Sequence, residues 1–253
     1  MFESFVLINA LESGKINNPH ERLHGYLIKV LSKFANVDVL HGEFRKIEFS
    51  LSPIYSLENF DIVTRFEKGS KYFFRITSLN DQLFSKLSRY FSLSPKFELA
   101  NIKFEITEYI SEVKYEILEK YSSTLYFISP TTFRISKKAN YPLPDPAKIL
   151  KSLSSRAKIE YPEDALIEKF SIQSKVLSFS HHKLIGFIGY IVFSYPIKNL
   201  HLAHFTGIGY SISRGCGSVI SPSVKASDER INQYHWRLIK NVQSASKKAS
   251  KSS

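Results

Sequence analysis

Hydrophobic residues in this chain switch between a period of about two and a period near 3.6, and the switches come in the same order twice. SFVLINAL (4–11) reads as a strand. NPHERLHGYLIKVLSKF then puts Leu23, Leu27, Val30, Leu31 and Phe34 on one helical face, with Asn18 and Pro19 at its start. IEFSLSPIY (47–55) and KYFFRIT (71–77) read as strands. DQLFSKLSRYF (81–91) repeats Leu83, Phe84, Leu87 and Phe91 at helix spacing, and FELANIKFEITEYI (97–110) returns to strand. In the second half STLYFISPTTFRI (123–135) is a strand broken at Pro130, and DPAKILKSLSSRA (145–157) is a helix capped by Asp145 with Pro146 at its first position. IEKFSIQSKVLSFS and KLIGFIGYIVFSY form a long hairpin around HHK, a helical turn follows at NLHLAHF, and GSVI is a last strand. Each half is therefore strand, helix, strand, strand, helix, strand: an α+β chain of two split βαβ units, each expected to be a four-stranded antiparallel sheet with two helices on one face.

The boundary falls between Glu119 and Ser123, giving units 1–120 and 121–225 and a basic tail at 226–253. In that tail NQYHWRLIK suits a helix, and QSASKKASKSS has the composition of a disordered end.

Lys and Arg number 35 against 23 Asp and Glu, a net charge of +12. From Val224 onward there are seven Lys/Arg and two Asp/Glu, so most of the excess lies on the body. A basic body of this size favours an anionic partner, nucleic acid before a membrane surface. The single cysteine, Cys216, excludes an intrachain disulfide and a cysteine-based zinc site and suits a reducing cytoplasm. MFESFVLINALESG has Glu3 where a secretion signal needs positive charge, and no apolar run approaches the ~18 residues of a membrane span. A soluble cytoplasmic protein is expected.

HLAHFTGIGYSISRGCGSVI (201–220) concentrates Gly207, Gly209, Gly215 and Gly217 around Arg214. The pattern G-x-G-x5-G-x-G is neither a dinucleotide fingerprint nor a Walker loop. It reads as bare backbone able to approach a bulky anion, with Arg214 adding charge, or else as a tight loop packed between two subdomains.

HFTGIGYSISRGCGSV closely resembles the glycine-rich signature of the RAMP superfamily. LHGYLIKVLSKFANVDVLHGEFRKIEFSLSPIY, GSKYFFRITSLNDQLFSKL and SPTTFRISKKANYPLPDPAKIL narrow the similarity to the CRISPR-associated endoribonucleases that cut pre-crRNA within its repeats. The resemblance spans nearly the whole chain to about residue 222 and implies tandem ferredoxin-like domains. It also implies metal-independent cleavage, in which the 2′-hydroxyl attacks the adjacent phosphate and leaves a 2′,3′-cyclic phosphate and a 5′-hydroxyl. No cofactor is expected. The implied partner is repeat RNA, without a membrane; an effector complex and a homodimer are open assemblies.

The resemblance makes His41, which follows the first helix by a short turn, the catalytic histidine; an imidazole of ordinary pKa, about 6.5, exchanges a proton near neutrality. Lys46, with Arg45 beside it, is the candidate cation, although the family's lysine falls one position later, at Ile47. Tyr26 and His24 on the first helix are further candidates: Tyr26 lies next to the apolar face and His24 off it, placed to make an acid–base pair with His41. RNA binding is expected from the glycine loop, Arg214, the run Arg134, Lys137 and Lys138, and Lys148 and Lys151 on the following helix, mostly through phosphates. His20 and His24 at i, i+4 lack a third metal ligand, and His181–His182 sit at a hairpin tip. A non-catalytic subunit of the same superfamily that holds crRNA in an effector complex is the competing reading. A generic RNA-binding pair of modules is weaker, since no RNP-type aromatic motif is evident.

Overall fold

The computed structural model describes residues 1–33, 49–136 and 139–249. Strand β1 (Phe2–Ala10) is buried on both faces, which is why its sequence stays apolar instead of alternating. Around it lie β2 (Phe49–Leu51), β3 (Lys71–Ser78), β4 (Lys96–Leu99) and β5 (Ile102–Glu112), antiparallel in the order β2-β3-β1-β5-β4, with Tyr55–Ser56 also paired to β3. The second sheet contains β6 (Tyr121–Thr131), β7 (Ile167–Ser178), β8 (Lys183–Lys198) and β9 (Val219–Ile220) in the order β7-β8-β6-β9. With β4 set aside, each half reads second, third, first, fourth strand. That is the tandem ferredoxin-like arrangement of an α+β chain.

Helices α1 (Pro19–Ser32) and α2 (Gln82–Leu93) cover one face of the first sheet through Leu23, Leu27, Val30, Leu87 and Phe91. Helix α3 (Pro146–Ala157) covers the second sheet through Ile149, Leu150 and Leu153, and its Asp145 cap accepts from the Lys148 amide at 3.0 Å. The second helix expected in this half is only a 3₁₀ turn, Leu200–Leu202, running into the four-residue α4 (Ala203–Thr206). FELANIKFEITEYI is a hairpin rather than one strand. Ala100 and Asn101, with φ of 48° and 70°, reverse the chain in two residues, so Leu99 pairs with Ile102 and the apolar phase slips by one, from Phe97 and Leu99 to Ile102 and Phe104.

The backs of the two sheets share a third core. Phe5 and Phe73 from the first sheet meet Ile128 and Ile220 from the second, and α5 (Glu229–Ala249) adds Ile231, Leu238 and Val242. The helix extends from Glu229 through Ala249, well beyond NQYHWRLIK, and its apolar positions Ile231, Leu238 and Val242 close this seam.

Candidate functional site

The glycine loop lies at the junction of the halves. Gly207, Gly209, Gly215 and Gly217 have φ of 66°, 95°, 91° and 64°, a region open to glycine and costly for other residues. Their bare faces meet protein. A Cβ on Gly215 would lie 2.7 Å from Cβ of His20 on α1, one on Gly207 2.9 Å from Ser50 Oγ, and one on Gly209 2.5 Å from the Thr132 carbonyl oxygen. One on Gly217 would collide with the Ile208 carbonyl. The amides of Gly207, Gly209 and Gly217 donate to Ala203 O, Ser152 Oγ and Pro130 O at 3.0, 2.8 and 3.0 Å. These contacts are those of a loop wedged between two subdomains, and the groups it turns outward are side chains, Arg214 foremost.

Exposed Arg214 stands beside α1, where its charge reaches both Glu21 and His24. Burial lowers the His24 pKa, the Arg214 charge adds to that, and a hydrogen bond with the Ser213 backbone pulls the other way. The result is an imidazole that is neutral at pH 7 and able to accept a proton. Its ring stacks on Phe49 with centroids 6.1 Å apart, and Nδ1 has no hydrogen-bond partner among the described residues.

Tyr26 is on the opposite side of α1, as residues two apart on a helix must be. Its ring stacks on Phe97 at 4.7 Å and meets Tyr90 edge-on at 6.4 Å, and burial raises its pKa further above the usual phenol value. The structure thus brings His24 and Arg214 together and leaves Tyr26 in the aromatic packing of α1 against α2 and β4. His41, Lys46, Lys137 and Lys138 lie outside the described residues.

Below His24, the tip of the β7–β8 hairpin is clasped to the start of α1. Glu21 Oε2 accepts from Asn18 Nδ2 at 2.6 Å, Ser180 N at 2.8 Å and Ser180 Oγ at 2.7 Å. Burial works to raise the Glu21 pKa, but these donors and Arg214 outweigh it and bring it down to about 2. His20 and His24 do not converge: His20 meets Phe179 edge-on at 4.9 Å, and burial lowers its pKa to about 4. His181 and His182 are exposed on the tip, with His182 stacked on Phe179 at 4.9 Å.

The remaining cations form a second group joined to the loop through Gly209 and Tyr210. The Arg134 guanidinium lies 5.0 Å from the Tyr210 ring centre and donates to its hydroxyl at 3.2 Å. Lys148 Nζ lies 5.2 Å from the Tyr141 ring centre and 3.1 Å from Asp145 Oδ2, so its charge is partly matched within the protein. Lys151 is exposed on the same helix. Arg156 donates to the Gly209 carbonyl at 2.9 Å, which ties α3 to the loop. Tyr210 and Tyr141, flat partners for these cations, were not singled out in the sequence; their spacing to Arg134 and Lys148 exists only in the fold.

A buried ionic cluster supports the loop from behind. The Glu3 carboxylate, fully buried, pairs with Arg75 Nε and accepts from His235 Nε2 at 2.8 Å, His204 Nε2 at 3.0 Å and the Tyr115 hydroxyl at 3.2 Å. Arg75 also donates to Ser218 Oγ and the Val219 carbonyl at 3.1 and 2.9 Å, directly behind Gly217. Burial works to raise the Glu3 pKa, but Arg75, His235 and His204 hold it well below the usual range. Burial drives His204 down to about 3, so its ring is neutral. Ligand atoms of Glu3, His204 and His235 lie within 4.8 Å of one another. They do not suit a metal. The Ser221 amide donates to His204 Nδ1 at 3.3 Å, so the ring proton is on Nε2 and points at Glu3, the reverse of a metal-binding tautomer.

The fold and the loop define a two-module ferredoxin-like protein whose glycine-rich turn joins its halves. Residues 125–219, which include the glycine loop, match the family model described as CRISPR-associated endoribonuclease Cas6. No curated protein matches the chain. Solved structures extend the likeness to almost its whole length. A Cas6 product complex (TTHB231, of Thermus thermophilus) superposes with a TM-score of 0.66 at 20% identity, covering 87% of this chain and 99% of that one. A Cas6-related protein from Pyrococcus furiosus gives 0.68 at 15% identity over 90% of this chain and 99% of that one. A second Cas6 product complex (TTHA0078) gives 0.59 at 18% identity over 89% and 100%. At these identities the structural likeness is one of fold. Among the described residues no helix is long and apolar enough to cross a membrane.

Proposed function

We propose that this chain is an endoribonuclease that cuts CRISPR repeat RNA within pre-crRNA, without a metal, leaving a 2′,3′-cyclic phosphate and a 5′-hydroxyl. The observation that carries the reading is the position of the family match: it ends on the glycine loop, and that loop presses Arg214 toward His24 on the other half. In this reading the loop and the Glu3 cluster fix the angle between the halves, and Arg214 grips the phosphate. A neutral His24 takes the proton from the 2′-hydroxyl, while His41, carrying a proton, gives it to the departing 5′-oxygen. Lys46 supplies positive charge to the crowded phosphorane. Arg134, Lys148 and Lys151, with Tyr210 and Tyr141, hold the flanking nucleotides; Lys137 and Lys138 lie in the same stretch of sequence. Acid–base catalysis contributes roughly 10²–10⁴-fold, and one well-placed donor about 10²–10³-fold.

The test is incubation of transcribed repeat RNA with the protein in EDTA, followed by end-group analysis. Cleavage at one position, with cyclic phosphate ends, lost in His41→Ala while binding persists, is the expected result. Tight binding of an uncut repeat would instead support the non-catalytic crRNA-holding subunit, a reading that gains from a solved neighbour described as a RAMP protein binding different RNA substrates, with a TM-score of 0.64 at 13% identity.

A further inference from the structure

Helix α5 closes the seam with one face and presents an unusual group on the other. Trp236, the only tryptophan in the chain, is 60% exposed. Lys240, one turn on, places Nζ 4.8 Å from the centre of its ring. Trp236 also walls a groove of about 310 Å³, floored by Ile220, Pro222, Val224 and Ile239, with 52% exposed Leu118 on its rim. Exposed Lys225 stands at the same rim. The groove begins at Ile220, three residues after the last glycine of the loop.

We infer that this groove is a stacking site for an unpaired nucleotide of bound RNA, with a base laid on the Trp236 ring and neighbouring phosphates held by Lys225 and Lys240. The inference rests on the RNA-binding reading above and extends it to a surface outside the junction. The exposed indole lines the groove, where a flat, weakly hydrated ring can lie against it, and Lys225 at the rim and Lys240 over the ring supply the charge that a backbone phosphate needs. Apolar side chains beneath exclude water from the stacked base. Lys225 and Lys240 set against Glu229 leave the charged rim of the groove net positive, which favours a polyanion. Glu229, on the groove wall, disfavours a phosphate at that end and orients the strand so that its phosphates run along the lysine side.

Because Trp236 is alone of its kind, its fluorescence reports this site without labelling. The probe is an unstructured 20-nucleotide RNA titrated at low salt, with binding followed in parallel by anisotropy of a dye on the RNA. Quenching of tryptophan emission on the same isotherm as the anisotropy is expected. Trp236→Ala is expected to weaken binding about 5–150-fold, from the roughly 1–3 kcal/mol of one aromatic–base stack, while Trp236→Phe stays within about threefold of the parent. RNA binding with unchanged emission, or Trp236→Ala binding like the parent, overturns the inference and leaves the junction reading standing. No binding of this RNA while transcribed repeat RNA binds overturns the stacking site alone, and no binding of either overturns both readings. Emission that changes with protein concentration in the absence of RNA marks the groove as a protein–protein face and overturns the stacking site.

Discussion

Gly215 lies directly against His20, so close that a Cβ on the one would be 2.7 Å from the Cβ of the other. The two belong to different halves, and His20 sits at the buried start of α1 with 1% of its surface exposed, where it cannot retreat. Gly215→Ala is therefore expected to cost more than the ~1–3 kcal/mol of placing a non-glycine residue at φ 91°, because the helix must also shift. Urea unfolding should show a lower midpoint. A variant with unchanged stability would mean that the two halves are not held as close as described.

The buried cluster makes stability depend on acid. Glu3 is held below its ordinary pKa, so what it contributes is whole above about 4.5 and is lost as pH falls. His204 is kept neutral while its unfolded counterpart takes up a proton below about 6.5, so stability falls from there toward about 3. His20 adds a loss in the same direction between 6.5 and about 4. The urea midpoint should be level between about pH 7 and 8 and decline below 6.5, and His204→Gln should flatten the decline. An unaltered slope in that variant places the acid sensitivity elsewhere.

Removing the partner of a buried charge is severe. Glu3→Gln leaves the Arg75 guanidinium buried without its carboxylate, and a loss of roughly 3–5 kcal/mol is expected. Replacing Glu3 and Arg75 together should cost less than the sum of the two single changes. Calorimetry of the four proteins reads this coupling directly, and strict additivity would contradict it.

His24 and Tyr26 should separate cleanly. With its ring between Phe97 and Tyr90, Tyr26→Phe is expected to cut repeat RNA within about threefold of the parent rate, whereas His24→Ala should lose about 10²-fold or more with binding retained. Single-turnover rates decide the matter; a Tyr26→Phe defect as large as that of His24→Ala would put the phenol in the chemistry.

Arg214→Ala should weaken RNA binding and lower the slope of log affinity against log salt by about 0.7–0.9, the signature of one lost phosphate contact. Loss of affinity at an unchanged slope would assign Arg214 to shaping the junction instead.

Element order and the tandem α+β architecture were legible because apolar periodicity records which face of each element is buried. The helix starts at Pro19 and Pro146 were legible because capping chemistry is local. The hairpin at Ala100–Asn101 was hidden because its turn lacks glycine and proline, and its one trace is the slip in apolar phase between Leu99 and Ile102. The length of α5 was hidden because QSASKKA, the stretch after Val242, is serine- and lysine-rich and carries no large apolar residue. The glycine loop drew attention at once, but its composition suits a ligand cradle and a packing wedge equally, and only the distances to His20, Ser50 and Thr132 separate them. The Glu3 cluster had a faint local trace, a glutamate and an arginine inside the apolar strands SFVLINAL's neighbour MFES and KYFFRIT. Nothing in the order of residues says that His204 and His235 meet them.

Glu3 and His235 are separated by 232 positions along the chain, yet they share one hydrogen bond. On a ribosome moving at about 5–20 residues per second, the second arrives roughly 10–50 s after the first. Throughout that interval the newborn sheet carries an acidic group whose last imidazole is still unmade. The seam between the modules is thus sealed only after residue 235 has been made, which makes α5 the keystone that locks two sheets synthesised well before it.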